Sequence, residues 1–142
     1  MLRVAILFSM VCCSYAAKGC EAALDYLVGV WQPGTRAWEV NGPITITKDR
    51  VSWGKCRPVS YSIVSNDERA SYLGDPFSSQ NPGPWRVITI KLAESKCFLM
   101  RQYPYLQFAF RPDSQKAAAV VFYESPERFA AGYSRWSSYS KK

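Results

Sequence analysis

The chain has no histidine. That absence removes the Ser-His-Asp triad, the Cys-His pair and every histidine-ligated zinc site at once. There is no C-x-x-C, so thioredoxin-like and zinc-ribbon readings have no support. There is no N-x-S/T acceptor, which argues against a glycosylated secreted form. The longest apolar stretch, Val4 to Cys13, falls well short of the roughly 20 residues a helix needs to cross a bilayer core. Acids are few: Asp and Glu number 11 against 18 Lys and Arg, a formal net charge of +7. The cations are scattered, with no dense run.

What is present begins with an export pattern. Arg3 precedes the apolar stretch, and Ser14-Tyr15-Ala16 or Tyr15-Ala16-Ala17 offers small residues before a cut. The expectation is a leader over residues 1–17 and one domain over residues 18–142. A lipoprotein box ending at Cys20 would read Ala17-Lys18-Gly19-Cys20, and the charged Lys18 fits it badly. The product would be periplasmic or secreted. The basic balance favours anionic partners, with a merely solvated basic surface as the plain alternative.

Removal of the leader leaves Cys20, Cys56 and Cys97. In an oxidising compartment one bridge and one leftover thiol is the simplest account. Cys56 and Cys97 lie in strand-like segments and are the expected pair, closing a loop worth ~3–4 kcal/mol in the chain-entropy model. Cys20 would then be free, lipidated or joined to another chain. Its pairing with either of the others stays open.

Period-two alternation dominates the middle of the chain. Ile44-Thr45-Ile46-Thr47 and Val51-Ser52-Trp53 flank Lys48-Asp49-Arg50, a hairpin with Ile44, Ile46, Val51 and Trp53 on one face. Further strands are expected at Arg36 to Val40, Val59 to Ile63, Arg69 to Leu73, Trp85 to Leu92, Cys97 to Tyr103, Tyr105 to Phe110 and Ala117 to Tyr123. Ser65-Asn66-Asp67-Glu68 is expected to turn. Gly74 to Pro84, with three prolines and two glycines, excludes helix and central strand. Cys20 to Val28 predicts a short helix stopped by Gly29. Ser125-Pro126-Glu127 predicts the start of a closing helix that would put Phe129, Tyr133 and Trp136 on one face. The fold class is therefore mainly β: a small antiparallel up-and-down barrel, or a curved open sheet, with a helix near each end.

Gly29-Val30-Trp31 resembles the Gly-x-Trp that opens the first strand in lipocalins and related calycins. The resemblance covers these three residues and the order of elements. It implies that Trp31 plugs a closed barrel end beneath a basic residue from a late strand, a role open to Arg101 or Arg111.

No catalytic group stands out. Asp67 and Glu68 are adjacent, and adjacent strand side chains point apart. The cysteines lack a histidine to activate them. Ser52 with Lys55 and Ser95 with Lys96 are only sequence neighbours, and none begins a predicted helix. No metal site and no cofactor are expected. Five tryptophans and nine tyrosines are heavy for this length, and most should fill the interior of a small barrel. Tyr72, Phe77 and Trp85 flank the long loop and are candidates for a pocket mouth, with Tyr103 and Tyr105 as a second aromatic point. Export argues against nucleic acid as a partner. The expected function is an exported, non-enzymatic binding protein, either carrying a small apolar or aromatic ligand or engaging a protein partner such as an enzyme through its loops. The alternative is an envelope module with peripheral membrane or cell-wall contact through its basic surface and C-terminal helix.

Overall fold

Alternation translates directly into the β2–β3 hairpin, Ile44–Ile46 and Arg50–Trp53. Ile44 lies opposite Trp53 and Ile46 opposite Val51, and all four are buried. A computed structural model describes residues 12–69, 83–111 and 113–142. In it the hairpin belongs to a closed antiparallel barrel of eight strands in simple up-and-down order. The other strands are β1 (Gly29–Pro33), β4 (Val59–Arg69), β5 (Trp85–Leu92), β6 (Tyr105–Phe110), β7 (Ala117–Tyr123) and β8 (Arg135–Lys141). Closure gives each strand two neighbours, although β3 meets β4 only at Val59 and Ser60.

Among the described residues four helices decorate the barrel: α1 (Cys12–Leu27), α2 (Arg36–Glu39), α3 (Phe98–Gln102) and α4 (Pro126–Ala130). Strand direction sorts them. Helix α1 precedes β1 and sits at the end where β1, β3, β5 and β7 begin. At the other end, the β1–β2 connection carries α2 and the β3–β4 connection carries Cys56. There too, the β5–β6 connection carries Cys97 and α3, and the β7–β8 connection carries α4. Cys56 and Cys97 are joined, 5.7 Å apart at Cα and 41 residues apart in sequence. The expected pair is the one that forms.

Four expectations are corrected. Arg36 to Val40 is not a strand: the N–H groups of Trp38 and Glu39 both donate to the Thr35 carbonyl, and one helical turn seats Trp38 against the core. Cys97 to Tyr103 is likewise helical, because the Arg101 N–H donates to Cys97 O and the turn buries Met100. The polar run Ser65-Asn66-Asp67-Glu68 does not turn. After a bulge between Ile63 and Ser65, β4 pairs on through Arg69 opposite Trp85. A full-length β5 supplies ladder partners that outweigh local turn preference.

The largest correction is at the C-terminus. Ser125 does cap a helix, its Oγ accepting from Arg128 N with Pro126 in the first turn. That helix stops after five residues, at Gly132 with φ +84°. The chain then becomes β8, which pairs with both β7 and β1 and closes the barrel. Phe129, Tyr133 and Trp136 therefore fall in a helix, a turn and a strand, and do not share a helical face. The C-terminal helix expected for membrane or cell-wall contact is thus a single short turn, α4.

The interior is filled with side chains. Ile90, Leu106 and Phe122 form one cross-strand row and Ile88, Phe108 and Val120 the next, all buried. Part of the outer face is buried too. Val87, Ala109 and Val121 form a second cluster, against which Phe129 and Trp136 pack.

At the α1 end, Trp31 is fully buried and tilts against Phe108 and Phe110 at 5.8 and 5.6 Å. Its Nε1–H donates to Leu27 O at 2.8 Å. Lys141 lies opposite Trp31 across the β1–β8 seam. Its Nζ stands 4.9 Å from the Trp31 ring and donates to Tyr26 O at 2.7 Å. The last carbonyls of a helix lack internal partners and attract cations, so these two groups together cap α1. The basic residue over Trp31 is thus Lys141, not Arg101 or Arg111. Burial holds the Lys141 amine below the ordinary lysine range. Replacing it tests the cap. Lys141→Met keeps the stem over the indole but loses the donor. It should cost about 1–2 kcal/mol in urea unfolding, while Lys141→Arg should cost much less.

Candidate functional site

The disulfide end is the candidate site, because every connection there carries a helix or a half of the bridge. Trp38 supplies its centre. From the short α2 its ring reaches the barrel mouth, 4.6 Å from Phe122 and 6.1 Å from Trp53, close to parallel with both. Trp53 and Phe122 also stack, at 4.8 Å. Tyr103, just after α3, flanks all three rings at 6.1–6.5 Å. The mouth is thus stopped by the protein's own aromatic side chains.

Beneath this stack lie Tyr139 Oη and Trp53 Nε1. Both are buried, and neither meets the geometry of a hydrogen bond with any group. Burial drives the Tyr139 phenol far above its ordinary range, and the nearby Trp53 indole offsets this only in part.

Outside the stack is a groove of about 630 Å³. The α2–β2 connection, the β3–β4 turn and the start of α3 form its walls, with the disulfide between them. Two glycines lock the first two walls together. Gly54 has φ +57°, and a side chain there would collide with Asn41 O. A Cβ on Gly42, φ +76°, would come within 2.9 Å of the Gly54 Cα. Only hydrogen atoms fit between these backbones, so the groove is shaped by glycine as well as by the bridge. A smaller cleft of about 370 Å³ lies beside α4, where Arg128 pairs with Glu124 at 3.5 Å and covers the Tyr133 ring at 3.9 Å.

The residues proposed as an aromatic pocket are not brought together. Tyr72 and Phe77 lie outside the described residues. Trp85 begins β5 at the α1 end, on the outer face, with the Arg111 guanidinium 4.2 Å above its ring. Tyr105 is also on the outer face, stacked on Tyr123 at 5.1 Å, with Lys91 Nζ 5.7 Å away. Only Tyr103 reaches the disulfide-end mouth. Arg101 is exposed on α3. Asp67 and Glu68 pair with separate arginines, Arg69 at 2.9 Å and Arg86 at 3.7 Å. Among the described residues, no three His, Cys, Asp or Glu side chains gather to hold a metal. Trp38, Tyr139 and Lys141 were not singled out from sequence for a role. For Trp38 a signal existed, a lone large ring in a polar stretch between two turns. Lys141 and Tyr139 acquire their roles through distant contacts.

Comparison with known proteins returns no match: neither a family model, nor a curated protein, nor a solved structure.

Two measurements probe the site. Trp38→Ala should destabilise by about 2–3 kcal/mol, less than a fully buried tryptophan because the ring is only partly buried. Added indole should then raise the Tm of the variant and leave the wild type unmoved. For Tyr139, the raised folded pKa means that its contribution is intact below the unfolded tyrosine value of about 10 and is lost above it. Tyr139→Phe should match or exceed wild-type stability at neutral pH, since an unpartnered hydroxyl is removed. It should also lose less between neutral and strongly alkaline pH in urea titrations.

Proposed function

We propose that the chain is an exported, non-enzymatic binding protein of lipocalin-like build. It acts on a macromolecular partner through the loops of its disulfide end. One observation carries the choice between carrier and loop binder: the barrel is occupied by its own rings, and Trp38 is stacked in the mouth on Phe122 and Trp53. A carrier of this size would need an apolar chamber of several hundred cubic ångströms. The open space described here lies on the outside, around rigid connections.

Three further observations support the remaining parts of the reading. The closed eight-strand up-and-down order is one of the two architectures expected from the order of elements, and it suits the resemblance carried by Gly29-Val30-Trp31. A late-strand cation over Trp31, which also caps the preceding helix, fits the lipocalin resemblance. The Cys56–Cys97 bridge suits an oxidising compartment, and no described helix is long and apolar enough to cross a membrane. The missing histidine and the separately paired acids support a non-enzymatic role.

The test is a thermal-shift screen of the leader-free protein against fatty acids, retinoids, steroids and indoles. A ligand present at a hundred times its Kd would add about 2.7 kcal/mol, several degrees in Tm. No compound is expected to shift the wild type. A clear shift accompanied by altered tryptophan fluorescence would return the protein to the carrier class.

A further inference from the structure

The loop-binding reading leaves the partner's chemistry open, and the groove beside the disulfide narrows it. Three cations bracket the two bridged cysteines in sequence: Lys55 and Arg57 on either side of Cys56, and Lys96 before Cys97. All three are exposed, and none has an ion-pair partner among the described residues. Glu39 is the single acid among the residues lining the groove, and Glu94 lies exposed just before the bridge. The positive potential here is therefore not neutralised locally.

The same place carries the two most exposed large apolar side chains among the described residues. Val40 lines the groove at 86 % exposure, and Phe98 stands next to Cys97 at 66 %. Leu99 and Trp53 contribute apolar surface within. A solvated basic face has no need of exposed Phe and Val, and an apolar patch for self-association would not be ringed by like charges. Cations around an apolar recess call for an apolar anchor flanked by carboxylates. Shape separates the candidate occupants. A membrane surface is flat on this scale and would touch the rim but leave the recess empty. A single extended peptide can fill it. The walls are held by a covalent bridge and by the Gly42–Gly54 contact, so little ordering cost falls on the protein when it binds.

We infer that this groove binds an extended polypeptide segment in which an apolar residue is flanked by acidic ones. The apolar side chain enters between Val40, Leu99 and the disulfide. The flanking carboxylates meet Lys55, Arg57 and Lys96. The inference rests on the loop-binding reading and gives it a site.

The experiment uses the leader-free chain and three fluorescein-labelled peptides built around Glu-Glu-Phe-Glu-Glu, Glu-Glu-Ser-Glu-Glu and Lys-Lys-Phe-Lys-Lys, read by fluorescence anisotropy. Vesicles of phosphatidylcholine with phosphatidylserine form a fourth arm. The acidic peptide with phenylalanine should bind at least ~10-fold more tightly than either other peptide, about 1.4 kcal/mol. That affinity should fall steeply as salt shortens the screening length from about 10 Å to about 3 Å. The double variant Lys55→Glu/Lys96→Glu should abolish binding. Phe98→Ala should weaken it severalfold, and Lys48→Glu, an exposed change at the opposite barrel end, should leave it unaltered. Absence of binding by every peptide overturns the inference, as does equal binding of the serine peptide. Binding to vesicles but not peptides overturns it in favour of a membrane surface. Peptide binding that ignores the groove variants overturns the site while leaving the loop-binding reading in place. Failure of that reading shows separately, as a small-molecule shift in the thermal screen.

Discussion

The structure turns on Trp31. Its indole N–H caps α1, its ring fills one end of the barrel against Phe108 and Phe110, and its backbone pairs with Lys141 at the seam where first strand meets last. Lys141 then covers the ring and binds the neighbouring helix carbonyl. Helix docking, core filling and sheet closure thus share one residue. An eight-stranded barrel has room for side chains and little else, and placing the largest side chain at the seam makes closure and packing a single event.

The two ends of the barrel solve opposite problems. At the α1 end a helix is held by three hydrogen bonds to its backbone carbonyls, from Asn66 to Gly19, Lys141 to Tyr26 and Trp31 to Leu27. At the other end no long helix covers the rings. Short helices, glycine contacts and a disulfide hold the connections, and the cations and exposed apolar residues gather there. In the first arrangement Trp31 and Lys141 turn their polar groups to the helix carbonyls. The second leaves its cations and exposed apolar residues facing outward, which is why function is placed at that end.

What could be read from the sequence depended on range. The β2–β3 hairpin and β6 show local alternation, β5 and β7 a content of β-branched and aromatic residues, and all appear where these signals put them. The Cys56–Cys97 pair was expected because both cysteines lay in strand-like segments, with a Cys20 pairing left open; the bridge forms although Cys97 in fact opens α3. Helices of four and five residues, α2 and α3, are too short to show a period, so apolar residues made them look like strands. β8 was hidden by chance: Phe129, Tyr133 and Trp136 carry helical spacing, yet Gly132 interrupts it and Ser137 and Tyr139 alternate inward. In β4 the turn-forming residues were overruled by a partner strand that no local rule can see. The site was less legible than the fold. Lys141 and Tyr139 gain their meaning from strand neighbours far away in the chain, and the mouth is assembled from rings on two connections and two strands.

The bond between Lys141 and Tyr26 spans 115 residues. Until β8 exists, β1 has one neighbour, the helix cap lacks its cation and the tryptophan has no roof. Local hairpins can flicker in the meantime, but the ring of strands waits for a contact between distant parts of the polypeptide, and topologies of that kind assemble slowly. A nascent chain of this design stays pliant while it is being made. Locking therefore comes last, with the strand that the ribosome makes last.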